Sequence, residues 1–392
     1  MRTSTDPAGR RWLVLSSATF SFFAVGLGFF SVPPLLPTLT ALFGLSNLAA
    51  GVLMGAVAVP AIVLSVPLGA AVDGFPPRAA GAIGLALMAV GCALFAAAPS
   101  FGVLLLGRLV FGVGALAINL LLARLLARAF AGREAALAMG VFLAAYPAAM
   151  IVGFSTLAPL AALVGWRGEM LLLGGLALLA APLHLAAVPA EGGSGATQAG
   201  GARLWQAVNR PLLALATAWC LYFAAFTPVI TFAPAWAGRS GLLVVSIIAW
   251  VSLLTGPLAG GLIDRTGRAP AWVAGGLLGL VATLAAMATG ALAPVPAMLL
   301  VGAVVAVVPT AVYSLPGRLV PAEVVGTAFG VITSFSNLGT LVGPAVAGAL
   351  RDRTASWPAL WAGCAGVAVL AVLAAVATRP RGVGHPPASR FM

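Results

Sequence analysis

Residues 189–202 read Pro-Ala-Glu-Gly-Gly-Ser-Gly-Ala-Thr-Gln-Ala-Gly-Gly-Ala, the one long polar, glycine-rich stretch in the interior of this 392-residue chain. A segment of that composition behaves as a flexible connector. It divides the chain into two parts, and each part holds six apolar runs of about twenty residues, the length at which a helix crosses the hydrocarbon core of a bilayer. The runs fall at 12–33, 47–72, 79–98, 101–124, 135–160 and 169–188 before the connector. After it they fall at 211–236, 242–263, 270–291, 295–317, 325–350 and 357–378.

Composition agrees with a membrane solvent. Hydrophobic residues make up 62% of the chain, charged residues 7%, and the mean hydropathy is +1.12, whereas soluble domains carry about a quarter charged residues. The ten-residue alternation of outer-membrane barrels is absent, so helices are the structure that satisfies every backbone group in lipid. The expected fold class is all-α, with twelve transmembrane helices in two pseudo-symmetric six-helix bundles: 1–188, a linker 189–210, 211–378 and a tail 379–392. The basic N-terminus and the apolar run from Trp12 imitate a signal peptide. That run continues to about Val32 without a small-residue cleavage site, and reads as an uncleaved first span.

The arginines test this division, because short cytoplasmic loops carry the positive excess. Alternate crossings place fifteen of the twenty arginines on one side, and only Arg167, Arg239, Arg351 and Arg353 on the other, with Arg108 inside a span. Both termini are thereby expected in the cytoplasm of a bacterial cell, with the chain multi-pass in the inner membrane. The net charge of +12 does not mark a nucleic-acid binder, since the arginines are spread between apolar segments rather than gathered on one face.

Every basic residue is arginine, and the missing lysine excludes two chemistries. A P-loop needs its lysine on the phosphates, and a retinal or pyridoxal Schiff base needs a lysine amine. Cys92, Cys220 and Cys364 lie far apart inside spans, with neither disulfide nor metal-ligand spacing. No cofactor and no metal are expected.

The two parts echo each other. Gly69-Ala-Ala-Val-Asp73 closes the second span and Gly260-Gly-Leu-Ile-Asp264-Arg-Thr-Gly-Arg268 the eighth, with the aspartates 191 residues apart (264 − 73). Internal duplication with a solute path between the repeats is a recurrent transporter plan. Glycines spaced by four, at Gly51 and Gly55, Gly275 and Gly279, Gly326 and Gly330, and Gly339 and Gly343, are expected to let helices approach closely.

Over essentially the whole chain the sequence resembles the major facilitator superfamily, somewhat like its cyanate and nitrate porter branches. The six-linker-six plan and the two loop motifs carry the resemblance. So do Arg108-Leu-Val-Phe-Gly112-Val-Gly114 in the fourth span and Gly339-Thr-Leu-Val-Gly343-Pro344-Ala-Val-Ala-Gly348 in the eleventh. The resemblance implies two bundles that rock about a central cavity, with loop residues Asp73, Arg78, Asp264, Arg265 and Arg268 in the gating position. A carboxylate there can accept from a facing helix start or from arginines. The first copy departs from the pattern, since Gly74-Phe-Pro-Pro-Arg78 replaces its basic and glycine positions. The fifth span carries Tyr146-Pro147 and not the glycine-proline motif of drug antiporters, which argues against ordinary drug efflux.

Arg108 lies about 10 Å inside its span at 1.5 Å per residue, and a charge in that position is a functional candidate. Two readings stand: a forked contact with an anionic solute, or packing against backbone carbonyls between helices. Asn119, Tyr146, Trp219, Tyr222, Thr310, Tyr313 and Asn337 are the further candidate solute-binding residues, following the rule of mostly apolar sites with a few convergent polar groups. All eight acids fall in tails, loops or span edges, so a mid-membrane carboxylate relay has no obvious member. Proton coupling, if used, falls to Arg108-linked substrate protonation, Glu169 or His184.

The expected function is secondary transport of a small polar or anionic solute by alternating access. Efflux of amphipathic compounds and a non-transporting receptor or assembly factor are the alternatives; an enzyme is not expected. The expected partners are a small-molecule solute and the bilayer, with no nucleic acid, and the chain is expected to be a monomer.

Overall fold

The computed structural model describes residues 7–65, 76–130, 134–188, 208–321 and 324–377, and these form helices and short turns without a strand. In chain order the helices are α1 (Pro7–Phe30), α2 (Val32–Phe43), α3 (Asn47–Gly55, continued through a 3-10 turn Ala56–Ala58), α4 (Pro77–Ala96), α5 (Phe101–Ala129) and α6 (Ala135–Ala187). The second half holds α7 (Arg210–Trp236), α8 (Gly241–Thr266), α9 (Ala269–Ala288), α10 (Pro294–Tyr313), the short α11 (Pro316–Leu319), α12 (Val325–Thr354) and α13 (Trp357–Val376).

Two helices differ from the expected spans. The first run, expected to end near residue 33, stays helical to Phe43. Pro33 and Pro34 deprive the carbonyls of Phe29 and Phe30 of their donors, so α1 stops there. The prolines then sit in the first turn of α2, where no N–H is required. The fifth and sixth runs, expected to be separated by a loop at 161–168, form one 53-residue helical element broken only at Gly165, with φ 74° and ψ 160°. A left-handed φ of that kind is open to glycine at little cost.

Long-range contacts show that the chain reverses at Gly165. Glu134, just before α6, forms an ion pair with Arg11 at 3.0 Å. Ala187 and Val188, at its other end, pack on Val14, Leu125 and Ala129. Trp166, in the middle, meets Phe43 and Phe95 at the far end of the bundle. A straight helix of 53 residues would run about 80 Å, against a hydrocarbon core of about 30 Å. The described residues contain eleven helices long and apolar enough to cross a membrane; with this hairpin counted as two, there are twelve crossings.

The same sorting defines two ends. The turns after α2, α4, α7, α9 and α12, and Gly165, share the arginine-poor end. The starts of α1, α4 and α7 and the α8–α9 turn share the arginine-rich end, where Asn209 donates to the Leu319 carbonyl at 2.8 Å and Arg318 reaches the Gly267 carbonyl at 3.4 Å. At the poor end each half stacks an arginine on a tryptophan, Arg167 on Trp166 and Arg351 on Trp357, both at 4.4 Å. The two tryptophans are 191 residues apart (357 − 166), the offset of the loop aspartates, while their arginines come from different positions, one residue after Trp166 and six before Trp357. Aromatic residues are enriched where helices leave lipid.

Within the first half α1 packs on α6, and α4 on α5 and α6; within the second, α7 packs on α12 and α13, and α8 on α10. The halves meet through α3 against α12 and α6 against α8. At the first of these interfaces a Cβ on Gly51 would overlap the Pro344 carbonyl, one on Gly55 would come within 2.7 Å of the Leu341 Cα, and one on Gly348 would overlap the Asn47 carbonyl. Gly339 and Gly343 press instead on α7, against Cys220 and Ala224. Gly326, Gly330 and Gly275, expected to pack closely, have no atom of the described residues within 4 Å of such a Cβ.

Candidate solute-binding site

Arg108 enters the first-half bundle from α5 and is 3% exposed. Its Nη1–H donates to the Gly28 carbonyl at 2.6 Å. That oxygen also accepts from the Ser31 hydroxyl at 2.9 Å, in the last turn before the proline break between α1 and α2. The Nε and Nη2 atoms are buried and make no hydrogen bond. These two N–H groups lie parallel along one edge of the planar fork, the edge suited to a two-oxygen anion. Phe111 lies 5.9 Å from the guanidinium carbon, and Cys92 and Tyr146 are within its electrostatic reach.

Tyr146 belongs to an aromatic wall beside the α1 break that holds Arg108. Its ring lies 5.6 Å from Phe22, 6.1 Å from Phe29 and 5.0 Å from Phe30. Asn119 is eleven residues beyond Arg108 on α5, about three turns along nearly the same face, and is exposed. The face is sealed at Arg108 and open at Asn119, nearer the arginine-rich end.

A second cluster forms in the other half. Trp219 and Tyr222 stack in α7 at 4.9 Å with 3° between planes, and Tyr222 continues onto Phe226 at 5.6 Å. Tyr313 of α10 meets Trp219 edge-on at 5.7 Å and stacks on Phe329 of α12 at 6.0 Å. Trp219 and Tyr222 are each 1% exposed while Tyr313 is 47% exposed, so Tyr313 is the accessible face of the ladder. Thr310, one turn before Tyr313, donates to the Ala306 carbonyl at 2.8 Å, and Asn337 donates to the Thr333 carbonyl at 2.8 Å. The structure thus joins Trp219 with Tyr222 and Tyr313, and sets Tyr146 on Phe29 and Phe30, next to the Gly28 whose carbonyl holds Arg108; Thr310 and Asn337 donate within their own helices.

Of the gating candidates, Asp73 lies outside the described residues. Arg78 is half-buried beside His184, whose Nε2 lies 3.2 Å from the Pro77 carbonyl. Asp264, Arg265 and Arg268 are exposed, and none of them forms an ion pair among the described residues. Glu169, expected at a span edge, is fully enclosed one turn past Gly165, and neither carboxylate oxygen has a hydrogen-bond partner.

One residue escaped sequence reasoning. Asp352, at the end of α12, accepts from the backbone N–H of Asn47 at 2.9 Å and of Leu48 at 2.8 Å, and from Asn47 Nδ2 at 2.7 Å. Its partners are about 305 positions away, and no local pattern announces them.

The sequence profile of the Major Facilitator Superfamily matches residues 18–332 and 238–391. The chain belongs to that family. Its members are transporters and not enzymes; they sit in the membrane and bind small-molecule solutes. Solved structures with the same fold include the nucleoside transporter NupG (TM-score 0.79, 14% identity, covering 93% of this chain and 99% of that one). Another is a bacterial homolog of the human lysosomal transporter Spinster in an inward-facing, unoccupied conformation (TM-score 0.75, 16% identity, 94% and 96%). Among curated proteins, the nitrate/nitrite transporter NrtP of Picosynechococcus sp. (strain ATCC 27264 / PCC 7002 / PR-6) is 33% identical over 107 residues. That match spans 26% of this chain and only 19% of the relative's length.

Proposed function

We propose that this family member moves a small polar or anionic solute across the bacterial inner membrane by alternating access, as a monomer with both termini in the cytoplasm. The two bundles joined by the 189–210 linker are its moving parts. The observation that carries the anionic preference is the bare Nε–Nη2 edge of Arg108. A buried charge demands partners, and this one has a single carbonyl for five N–H donors. A planar oxyanion reaching that edge gains two charge-assisted bonds at once, with Tyr146 beside it. The nitrate/nitrite transport named for the partial relative agrees with that preference.

Alternating access is supported by the asymmetry of the contact between halves. Counting 100° per residue, Gly326, Gly330, Asn337, Leu341, Pro344, Gly348 and Asp352 occupy a sector of about 80° on α12. The last four meet α3, while Gly326 and Gly330 are exposed with space around them. Among the described residues, one face of α12 is therefore in contact at the arginine-poor end and without a close neighbour at the other, as alternating access requires of one of its two states.

The test is uptake into proteoliposomes of nitrate, nitrite, cyanate, formate and acetate, with a nucleoside as uncharged control. Arg108→Ala is expected to lower uptake of the transported anion by tenfold or more, on the order expected for losing charge-assisted bonds. Arg108→Lys keeps the charge without the fork and is expected to fall between. Unchanged uptake of every transported solute in a folded Arg108→Ala protein removes the role given to Arg108.

A further inference from the structure

We propose that Asp352 is the latch of the arginine-poor end, a carboxylate that closes the two halves on each other by capping the start of α3. Its place in a transport cycle rests on the alternating-access reading; the contact itself does not. A helix start leaves its first N–H groups without intrahelical partners and carries a partial positive charge. Ser46 fills one of these needs in α3, its hydroxyl accepting from Ala49 N–H at 3.1 Å. The N–H groups of Asn47 and Leu48 go to Asp352, which belongs to the other half. The Asn47 side chain adds a third donor to Oδ1, so each carboxylate oxygen is engaged.

Three features make this a latch and not simply a surface contact. The hydrogen bonds couple segments that the linker separates, so they exist only while the halves touch. The glycine contacts below them, Gly348 on Asn47, Gly51 on Pro344 and Gly55 on Leu341, hold the backbones close enough for the carboxylate to reach. Asp352 is also exposed, so when the halves part, water takes over both the carboxylate and the freed N–H groups. A buried carboxylate would resist that exchange; an exposed one permits a reversible closure.

The other end shows no such contact among the described residues. There Asp264 closes α8 and is exposed without an ion pair among the described residues. Asp352 does at the closed end what the loop aspartates of the family are expected to do at the opposite one, from the helix that bears the continuous interface stripe.

The experiment measures distances between spin labels at Ser100→Cys and Arg239→Cys. Both are exposed positions at the arginine-poor end, one in each half, and Cys92, Cys220 and Cys364 are replaced by Ala in full-length protein in lipid nanodiscs. The unsubstituted latch is expected to give mainly the short distance. Asp352→Ala is expected to raise the ratio of separated to closed molecules on the order of tenfold, within the range of ordinary conformational couplings. Asp352→Asn, which keeps one acceptor oxygen, is expected to raise it less. Asn47→Ala, which removes the side-chain donor and leaves both backbone bonds, is expected to raise it least. An unchanged distribution in Asp352→Ala overturns the latch, and if that variant does not fold, an unchanged distribution in Asp352→Asn does so. A shifted distribution in a protein that carries none of the tested solutes keeps the latch and removes the transporter reading.

Discussion

The two ends of α12 share one helix and one stripe of residues, yet they are built to different tolerances. Toward Thr354 the stripe is pressed onto α3 so closely that no side chain fits at Gly348, and Asp352 ties the contact across the halves. Toward Val325 the stripe holds two glycines with nothing near them among the described residues. The difference makes the stripe the place to test whether the halves take up a second arrangement: on the alternating-access proposal, the glycines toward Val325 gain neighbours when the arginine-rich end closes.

The comparison breaks most easily at Gly51. A methyl group there meets the main chain of Pro344, which cannot rotate away as a side chain can. Overpacking of this kind costs about 1–3 kcal/mol, and the cost falls only on the conformation in which the two helices touch. Gly51→Ala is expected to shift the spin-label distances at the arginine-poor end further than any Asp352 substitution. An unshifted population in Gly51→Ala, with the protein still monodisperse, means that the close approach is incidental to the closed state.

A substitution of the same size at Gly330 is expected to behave in the opposite way. The added methyl meets open space, and alanine is the better helix former by as much as about 1 kcal/mol. Thermal stability of this conformation is therefore expected to hold or rise slightly. Turnover in proteoliposomes is expected to fall, because the methyl obstructs the arrangement in which that end closes. A Gly330→Ala protein with unchanged turnover leaves the stripe with one function only, at the arginine-poor end.

The crossings were legible because a bilayer imposes a length. Runs of twenty apolar residues have few other uses, and starts such as Asn47 and Phe101 fell where expected. The errors lie where backbone chemistry is local and subtle. Pro33-Pro34 reads as the end of a helix, yet here it is the first turn of the next one, and Gly165 turns the chain back without a polar loop. Of the site, Arg108 was legible as a lone charge among apolar residues, and Trp219 and Tyr222 as aromatic side chains well inside their span, whereas Tyr313 proves to be the last residue of α10. The acceptor of Arg108 at Gly28 was not, since a backbone carbonyl eighty positions away leaves no mark on the side-chain pattern. Asp352 and Glu169 were hidden for a related reason: helix register across some 300 residues, or the enclosure of a carboxyl by packing, is a property of the assembled bundle.

The smallest expected effect is at Asp264. Its carboxylate is exposed and has no ion pair among the described residues, and surface substitutions away from specific partners change stability by about 0.5 kcal/mol or less. The turn around it is held by other groups, Trp272 Nε1–H donating to Thr266 Oγ1 at 2.7 Å and Arg318 reaching the Gly267 carbonyl. Asp264→Asn is thus expected to leave both the melting temperature and the Ser100–Arg239 label distances where they are, while Asp352→Asn, the same chemical change at the other end, moves the distances. If Asp264→Asn separates the arginine-poor end as strongly as Asp352→Asn does, the two ends are not independent gates, and the effect of either aspartate is one of charge on the whole bundle and not of a particular helix start.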